Sequence, residues 1–288
     1  MTPSEVRSDP SPSELLTLKN RLVPLAMELG RWARRTRRAA ADGDEDLGVT
    51  TKQGPGDLVT FADAEVQRRL VAALTQLLPG SGFVGEEEGL DRGRPDGPTW
   101  VIDPIDGTHN FVRNYPGFCV SIALVVGFEP VLGVIYDAAE DDVVWAVRGE
   151  GCWRGVRRLR FGPETTDLAH ALVATNVTGA QVGHPGRERF FTAMAAGAAG
   201  VRASGSACRD FVHLVEGRTD LFWQFGLSAW DVAAGALLVR EAGGVARFEG
   251  VPRDWVRAGA IDAFAGRPER VEDAVALARE LGASRDAT

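Results

Sequence analysis

One segment constrains this chain more than any other: WVIDPIDGTHNF, residues 100–111. Trp100, Val101 and Ile102 read as a buried strand, and Asp103 leaves its end. Pro104 fixes one backbone angle, so Asp106 is expected to swing back beside Asp103 in a tight turn. Gly107 permits close backbone approach, and Thr108 is expected to open a helix whose free amide hydrogens favour an anion such as phosphate. Two carboxylates about 4 Å apart would repel by roughly 4 kcal/mol at an effective surface dielectric, and one would take up a proton unless a cation intervened. No Cys or His stands at a metal spacing, and an all-oxygen set suits a hard ion such as Mg2+ better than Zn2+. Taken alone, D-x-x-D-G is also the sequence of an acidic turn.

The flanking sequence supplies the elements that would carry this segment. VSIALVVG, VLGVIYD and VVWAVRG follow as short β-branched runs separated by Gly, Pro and acidic residues, the pattern of a sheet. Upstream, Leu15, Leu18, Leu22, Leu25 and Leu29 recur at helical spacing over residues 13–41, with a kink or restart expected at Pro24. A second helix is expected from about Asp63 to Leu78, stopped by Pro79 and Gly80. Beyond Gly155 the texture changes to apolar strands (ALVATNV, DLFWQFG) alternating with Ala-rich helices (RERFFTAMAAGAAG, WDVAAGALLVREAGG). The expected organisation is a mobile lead over 1–12, an N-terminal half over 13–155 with most of the acids, and a C-terminal half over 156–288 containing Asp231.

A 288-residue chain that is 44% hydrophobic and 25% charged is an ordinary globular protein, not a disordered or fibrous one. Its net charge of -8 makes nucleic acid an unlikely general partner, and the basic run Arg31 to Arg38 reads as a solvated helix face. Cys119, Cys152 and Cys208 are scattered, which argues against a disulfide framework and points to a reducing cytoplasm. No signal-peptide order and no apolar run of about 20 residues is present. Three further acidic segments recur beside predicted element ends: Asp57 to Asp63, Gly85 to Gly89, and Trp230-Asp231. Individually, each also fits a helix cap or a solvated turn.

Taken together, Lys52 with DLVTFAD, GEE, DPIDGTHNF, GSA at 205–207 and WDVAAGALLVREAGG resemble the inositol monophosphatase family, in its order and approximate spacing across residues 13–275. The resemblance implies an α/β fold, a layered αβαβα sandwich of the inositol monophosphatase and sugar phosphatase type, with the active site between its halves. It also implies two or three Mg2+ ions. Glu86, Asp103 and the carbonyl of Ile105 would hold the first; Asp103, Asp106 and Asp231 the second; and Glu86 would reach a third. Glu86 and Thr108 would orient the attacking water with Asp63 assisting, and the amides of Gly107 and Thr108 would cradle the phosphate. Ser206 and Ala207 match positions near the substrate, as does Gln224, which stands where many relatives carry Glu.

The implied activity is hydrolysis of a small phosphorylated polyol, inositol 1-phosphate foremost, by a cytoplasmic homodimer. Histidinol phosphate, fructose 1,6-bisphosphate and 3'-phosphoadenosine 5'-phosphate are the competing substrates, and a non-catalytic interaction protein retaining the fold is the competing class.

Overall fold

The computed structural model describes residues 9–52, 58–87, 90–92, 97–162, 167–177 and 182–284. The chain opens with helix α1 (Pro12–Asp42), started by a reciprocal cap in which Glu14 N–H donates to Ser11 Oγ and Ser11 N–H to Glu14 Oε2. Against the expected restart, α1 runs unbroken through Pro24. Pro24 and Asn20 both face solvent, so the Asn20 carbonyl that loses its helical donor is left to water while Leu15, Leu18, Leu22, Ala26 and Leu29 stay buried. Ser11 and Pro12, expected in the mobile lead, belong to this helix start.

Two short strands, β1 (Thr50–Thr51) and β2 (Leu58–Val59), pair before helix α2 (Phe61–Leu77). Strands β3 (Gly82–Gly85), β4 (Asp91–Arg92) and β5 (Thr99–Asp106) lead to a one-turn helix α3 (Thr108–Val112), then β6 (Cys119–Val126), β7 (Glu129–Asp137), β8 (Asp142–Val147), β9 (Gly151–Arg154) and β10 (Arg157–Leu159). Eight of these strands form one sheet in the order β10-β9-β8-β7-β6-β5-β3-β4, antiparallel except where β3 meets β5. This sheet therefore runs through Leu159, past the division expected after residue 155.

The remainder comprises β11 (Leu172–Ala174), α4 (Pro185–Gly197), β12 (Gly200–Arg202), α5 (Ala207–Val215), β13 (Leu221–Leu227), α6 (Ala229–Glu241), β14 (Val245–Glu249), β15 (Ile261–Gly266) and α7 (Pro268–Glu280). Its five strands form a second sheet in the order β12-β11-β13-β15-β14.

Strand periodicity sorts the side chains into layers. In β5 and β6, Trp100, Ile102, Val120, Ile122 and Leu124 pack outward against α1 and α2. Val101, Cys119, Ala123 and Val125 face inward, into a core shared with α5 and α6. In the small sheet, Leu221, Trp223, Phe225 and Phe264 face α4 and α7, while Phe222 and Ala263 face the shared core. The result is the layered αβαβα sandwich, with α5 and α6 buried between two sheets. Small residues set the spacing of that middle layer: a Cβ on Gly133 of β7 would lie 3.1 Å from the Ala234 carbonyl of α6.

Candidate active site

Asp103 and Asp106 come together by a route the sequence reading did not foresee. β5 does not end at Asp103; it continues to Asp106, and Asp103 pairs with Ser121 while Asp106 pairs with Cys119. Three steps on β5 thus match two on β6, a one-residue slip in register. In a regular strand, residues three apart point to opposite faces; the extra residue cancels that parity and puts both carboxylates on one side. Gly107 follows at φ 93°, and a Cβ there would also meet the Gly205 carbonyl at 3.1 Å, so both conformation and space call for glycine.

The other acids arrive on helix first turns. Asp63 sits in the first turn of α2, where its Oδ2 accepts from Thr60 N–H at 2.8 Å and Thr60 Oγ1 at 2.5 Å. Asp231 has the same place on α6, with Oδ2 accepting from Ser228 N–H at 2.7 Å. Asp106 is held by the start of α5: Ser206 Oγ and Cys208 N–H each donate to its Oδ2 at 2.6 Å. Asp103 Oδ1 accepts from Ile105 N–H at 3.0 Å. A helix start satisfies one edge of Asp63, Asp106 and Asp231 and leaves the other edge available. The cap reading of Asp63 and Asp231 and their site reading therefore coexist.

The available edges converge. One ligand atom each from Asp103, Asp106 and Asp231 lies within 4.8 Å of the others, with Asp103 and Asp106 buried and Asp231 partly so. Glu86, just past β3, lies 3.1 Å from Lys52 Nζ, which also meets Glu87 at 2.8 Å. Burial raises the Asp103 carboxyl well above its usual range, and repulsion from Glu86, Asp106 and Asp231 raises it further. Burial likewise raises Asp106, against the opposing donors Ser206 and Cys208, and raises Asp231, with Asp106 adding to the effect. Glu86 is raised by burial against the opposing charge of Lys52. Four carboxyls held by the fold in forms that resist ionisation, with oxygens facing one another and one nearby ammonium, fit hard divalent cations.

Thr108 Oγ1 lies 3.1 Å from the Ile105 carbonyl and 3.5 Å from Asp63 Oδ1. Burial pushes the Asp63 carboxyl up to about 7. Glu86, Asp106 and Asp231 border an open cleft of about 1080 Å³ that also reaches His109, Ala207 and Gln224. Ser206 is buried, with its hydroxyl committed to Asp106.

Asn176, Ser228 and Asp210 were not singled out from sequence; Glu87 was named only within the acidic segment Gly85 to Gly89, and Asp57, Glu88 and Gly89 fall outside the described residues. All three cysteines are buried and free, and Cys208 packs in the shared core as expected. The basic run is less solvated than expected: Arg31 and Arg34 pair with Asp141, and Arg37 donates to the Tyr115 carbonyl. Among the described residues, no helix is long and apolar enough to cross a membrane.

Carboxylates clustered at the edge of an open cleft in an αβαβα sandwich suit a metal-assisted phosphoric monoester hydrolase. Residues 15–278 match the model of the inositol monophosphatase family, and the chain belongs to that family. It is 39% identical to an inositol-1-monophosphatase of Caulobacter vibrioides over 72% of this chain and 84% of that one. It is 34% identical to the Nus factor SuhB of Vibrio cholerae, over 82% of this chain and 87% of that one. Among solved structures, the extragenic suppressor protein suhB from Bartonella henselae is similar at a TM-score of 0.79 and 33% identity, over 92% of this chain and 98% of that one.

Proposed function

We propose that this protein hydrolyses a small phosphorylated polyol, inositol 1-phosphate foremost, to the free alcohol and phosphate by direct attack of water, with no covalent phosphoenzyme. The observation that carries this reading is the convergence of Asp103, Asp106 and Asp231 within 4.8 Å at the edge of an open cleft. Glu86, Asp103, the Ile105 carbonyl, Asp106 and Asp231 would hold two or three Mg2+ ions. Once bound, such ions acidify water and offset the charge on phosphoryl oxygens.

The chain's own groups supply position and proton transfer. Thr108 can donate to the Ile105 carbonyl or to Asp63, which leaves its lone pairs to accept from a water and, with Glu86, aim it at phosphorus. As the new O–P bond forms, the water's proton can pass through Thr108 Oγ1 to Asp63 Oδ1. The alkoxide released when the ester P–O bond breaks takes a proton from solvent. Amides of Gly107 and Thr108, at a helix start where N–H groups lack intrahelical partners, would receive the phosphate oxygens. Ala207 and Gln224 would border the alcohol part.

The test is a comparison of kcat/KM for inositol 1-phosphate, histidinol phosphate, fructose 1,6-bisphosphate and 3'-phosphoadenosine 5'-phosphate, with and without Mg2+. Release from inositol 1-phosphate only with Mg2+ is the expected result, and rapid metal-free turnover would defeat the mechanism. The likeness to a protein named as a Nus factor supports a second reading, a non-catalytic interaction role. Inertness on the whole panel combined with tight binding of a protein partner would favour it.

A further inference from the structure

The wall of the cleft away from the carboxylate cluster contains a chain of hydrogen bonds with a fixed direction. It begins at Asp210 of α5, which is fully buried. Its Oδ2 lies 2.8 Å from Asn176 Nδ2. The amide nitrogen of Asn176, which only donates, faces that oxygen. The other side of the same amide is fixed independently, because Gly205 N–H donates to Asn176 Oδ1 at 2.7 Å and a backbone N–H only donates.

With both ends of Asn176 assigned, its remaining amide hydrogen points at Gln224, 3.1 Å away, and the atom receiving it has to be Oε1. Gln224 therefore turns Nε2 away from Asn176. Gln224 and Asn176 both line the cleft, and no acceptor for Nε2 is found among the described residues. A Glu at position 224 would present an acceptor in the same place; this chain presents two N–H donors and no charge.

We infer that Asp210 and Asn176 are positioning residues that hold Gln224 as a hydrogen-bond donor toward the alcohol part of the substrate. Compared with a Glu at 224, the site thereby shifts preference toward a phosphomonoester carrying a carboxylate, carbonyl or second phosphate in its alcohol part and away from one offering hydroxyls alone. A hydroxyl can satisfy a donor or an acceptor, whereas an anionic group can satisfy only a donor and is repelled by a carboxylate. This inference rests on the phosphatase reading of the cleft.

Two esters that differ in one group, 3-phosphoglycerate and sn-glycerol 3-phosphate, test it with the full chain and Mg2+. The quantity read is the ratio of their kcat/KM values, in wild type, in Gln224→Glu, and in a charge-neutral swap combining Asn176→Asp with Asp210→Asn. In the swap the side chain at 176 only accepts, so Gln224 has to turn its nitrogen inward and show its oxygen to the cleft. The ratio of acid ester to alcohol ester is expected to fall at least tenfold in both variants, through KM rather than kcat. Gln224→Leu, which removes the donor without adding charge, is expected to lower the ratio as well; a fall confined to the two variants that add a carboxylate to the cleft wall would overturn the inference.

An unchanged ratio in both variants, or a rise in Gln224→Glu, overturns the inference. If wild type with Mg2+ hydrolyses neither ester nor inositol 1-phosphate, the phosphatase reading fails on its own account. The Gln224 side-chain amide signal in 1H–15N spectra then decides the donor question. A shift on titration with 3-phosphoglycerate that exceeds the shift with sn-glycerol 3-phosphate supports it, and equal shifts or none overturn it.

Discussion

At one end of the cleft, Glu86, Asp103, Asp106 and Asp231 bring four carboxyls together with one nearby ammonium, that of Lys52; at the other, Asn176 and Gln224 present neutral amides backed by a single buried acid, Asp210. The first end is electrostatically unfinished: burial and mutual repulsion oppose ionisation of its acids, so protons or an added cation have to complete it. At the second end Asn176 has partners on three sides, and what is left open is a neutral donor on Gln224 rather than a cluster of charge. Reaction chemistry and substrate choice are thus separated in space, and each end should fail in its own way.

The largest effect expected from that separation is at the carboxylate end. Asp106→Asn should lower Mg2+-dependent phosphate release by roughly a thousandfold or more while the far-ultraviolet circular dichroism stays that of the wild type. A variant with near-normal turnover would erase the distinction between the two ends. At the amide end, Asn176→Ala strands the Asp210 carboxylate and the Gly205 amide, a cost of about 1–3 kcal/mol. Steady-state kinetics should show a loss in kcat/KM of about tenfold, carried by KM. An equal loss in kcat would mean that both ends serve the chemical step.

The smallest effect is a pH trend in stability. Asp63 and Asp210 are both pushed up to about 7 by burial, from an ordinary value of 3.8. The folded chain then holds these protons more tightly than the unfolded chain. Their stabilising contribution is complete below the unfolded value and is lost as pH rises through about 7. Metal-free protein should therefore melt lower at pH 8 than at pH 5 as far as these groups are concerned. The rise in Tm on adding Mg2+ should be larger at pH 8, because the ion competes with fewer protons. Scanning calorimetry at the two pH values checks the sign, and a larger Mg2+ effect at pH 5 would contradict it.

The two ends also differed in how far the sequence revealed them. Asp103, Asp106 and Asp231 were legible because each sits at the end of a strongly patterned strand or helix, where a charge is conspicuous. The slip in β5 was not, because register is a property of two strands and nothing in WVIDPID shows where Cys119 and Ser121 will pair. Pro24 misled for a related reason: its cost depends on whether the orphaned carbonyl faces water. Gln224 was reachable only through the family resemblance, and Asn176 and Asp210 carry no local signature. They meet because β11 lies parallel beside β13 and α5 precedes β13 in the middle layer, so their association exists only in the tertiary fold.

The close seat of Ala234 on Gly133 bears on the ion site from within. Asp231 leads the helix that rests on that glycine, three residues upstream of the contact. Asp103 and Asp106 belong to the sheet that supplies the glycine. The distance between the Asp231 backbone and the sheet that bears Asp103 and Asp106 therefore depends on backbone lying against backbone, and a methyl group added at Gly133 would press the two apart deep in the interior.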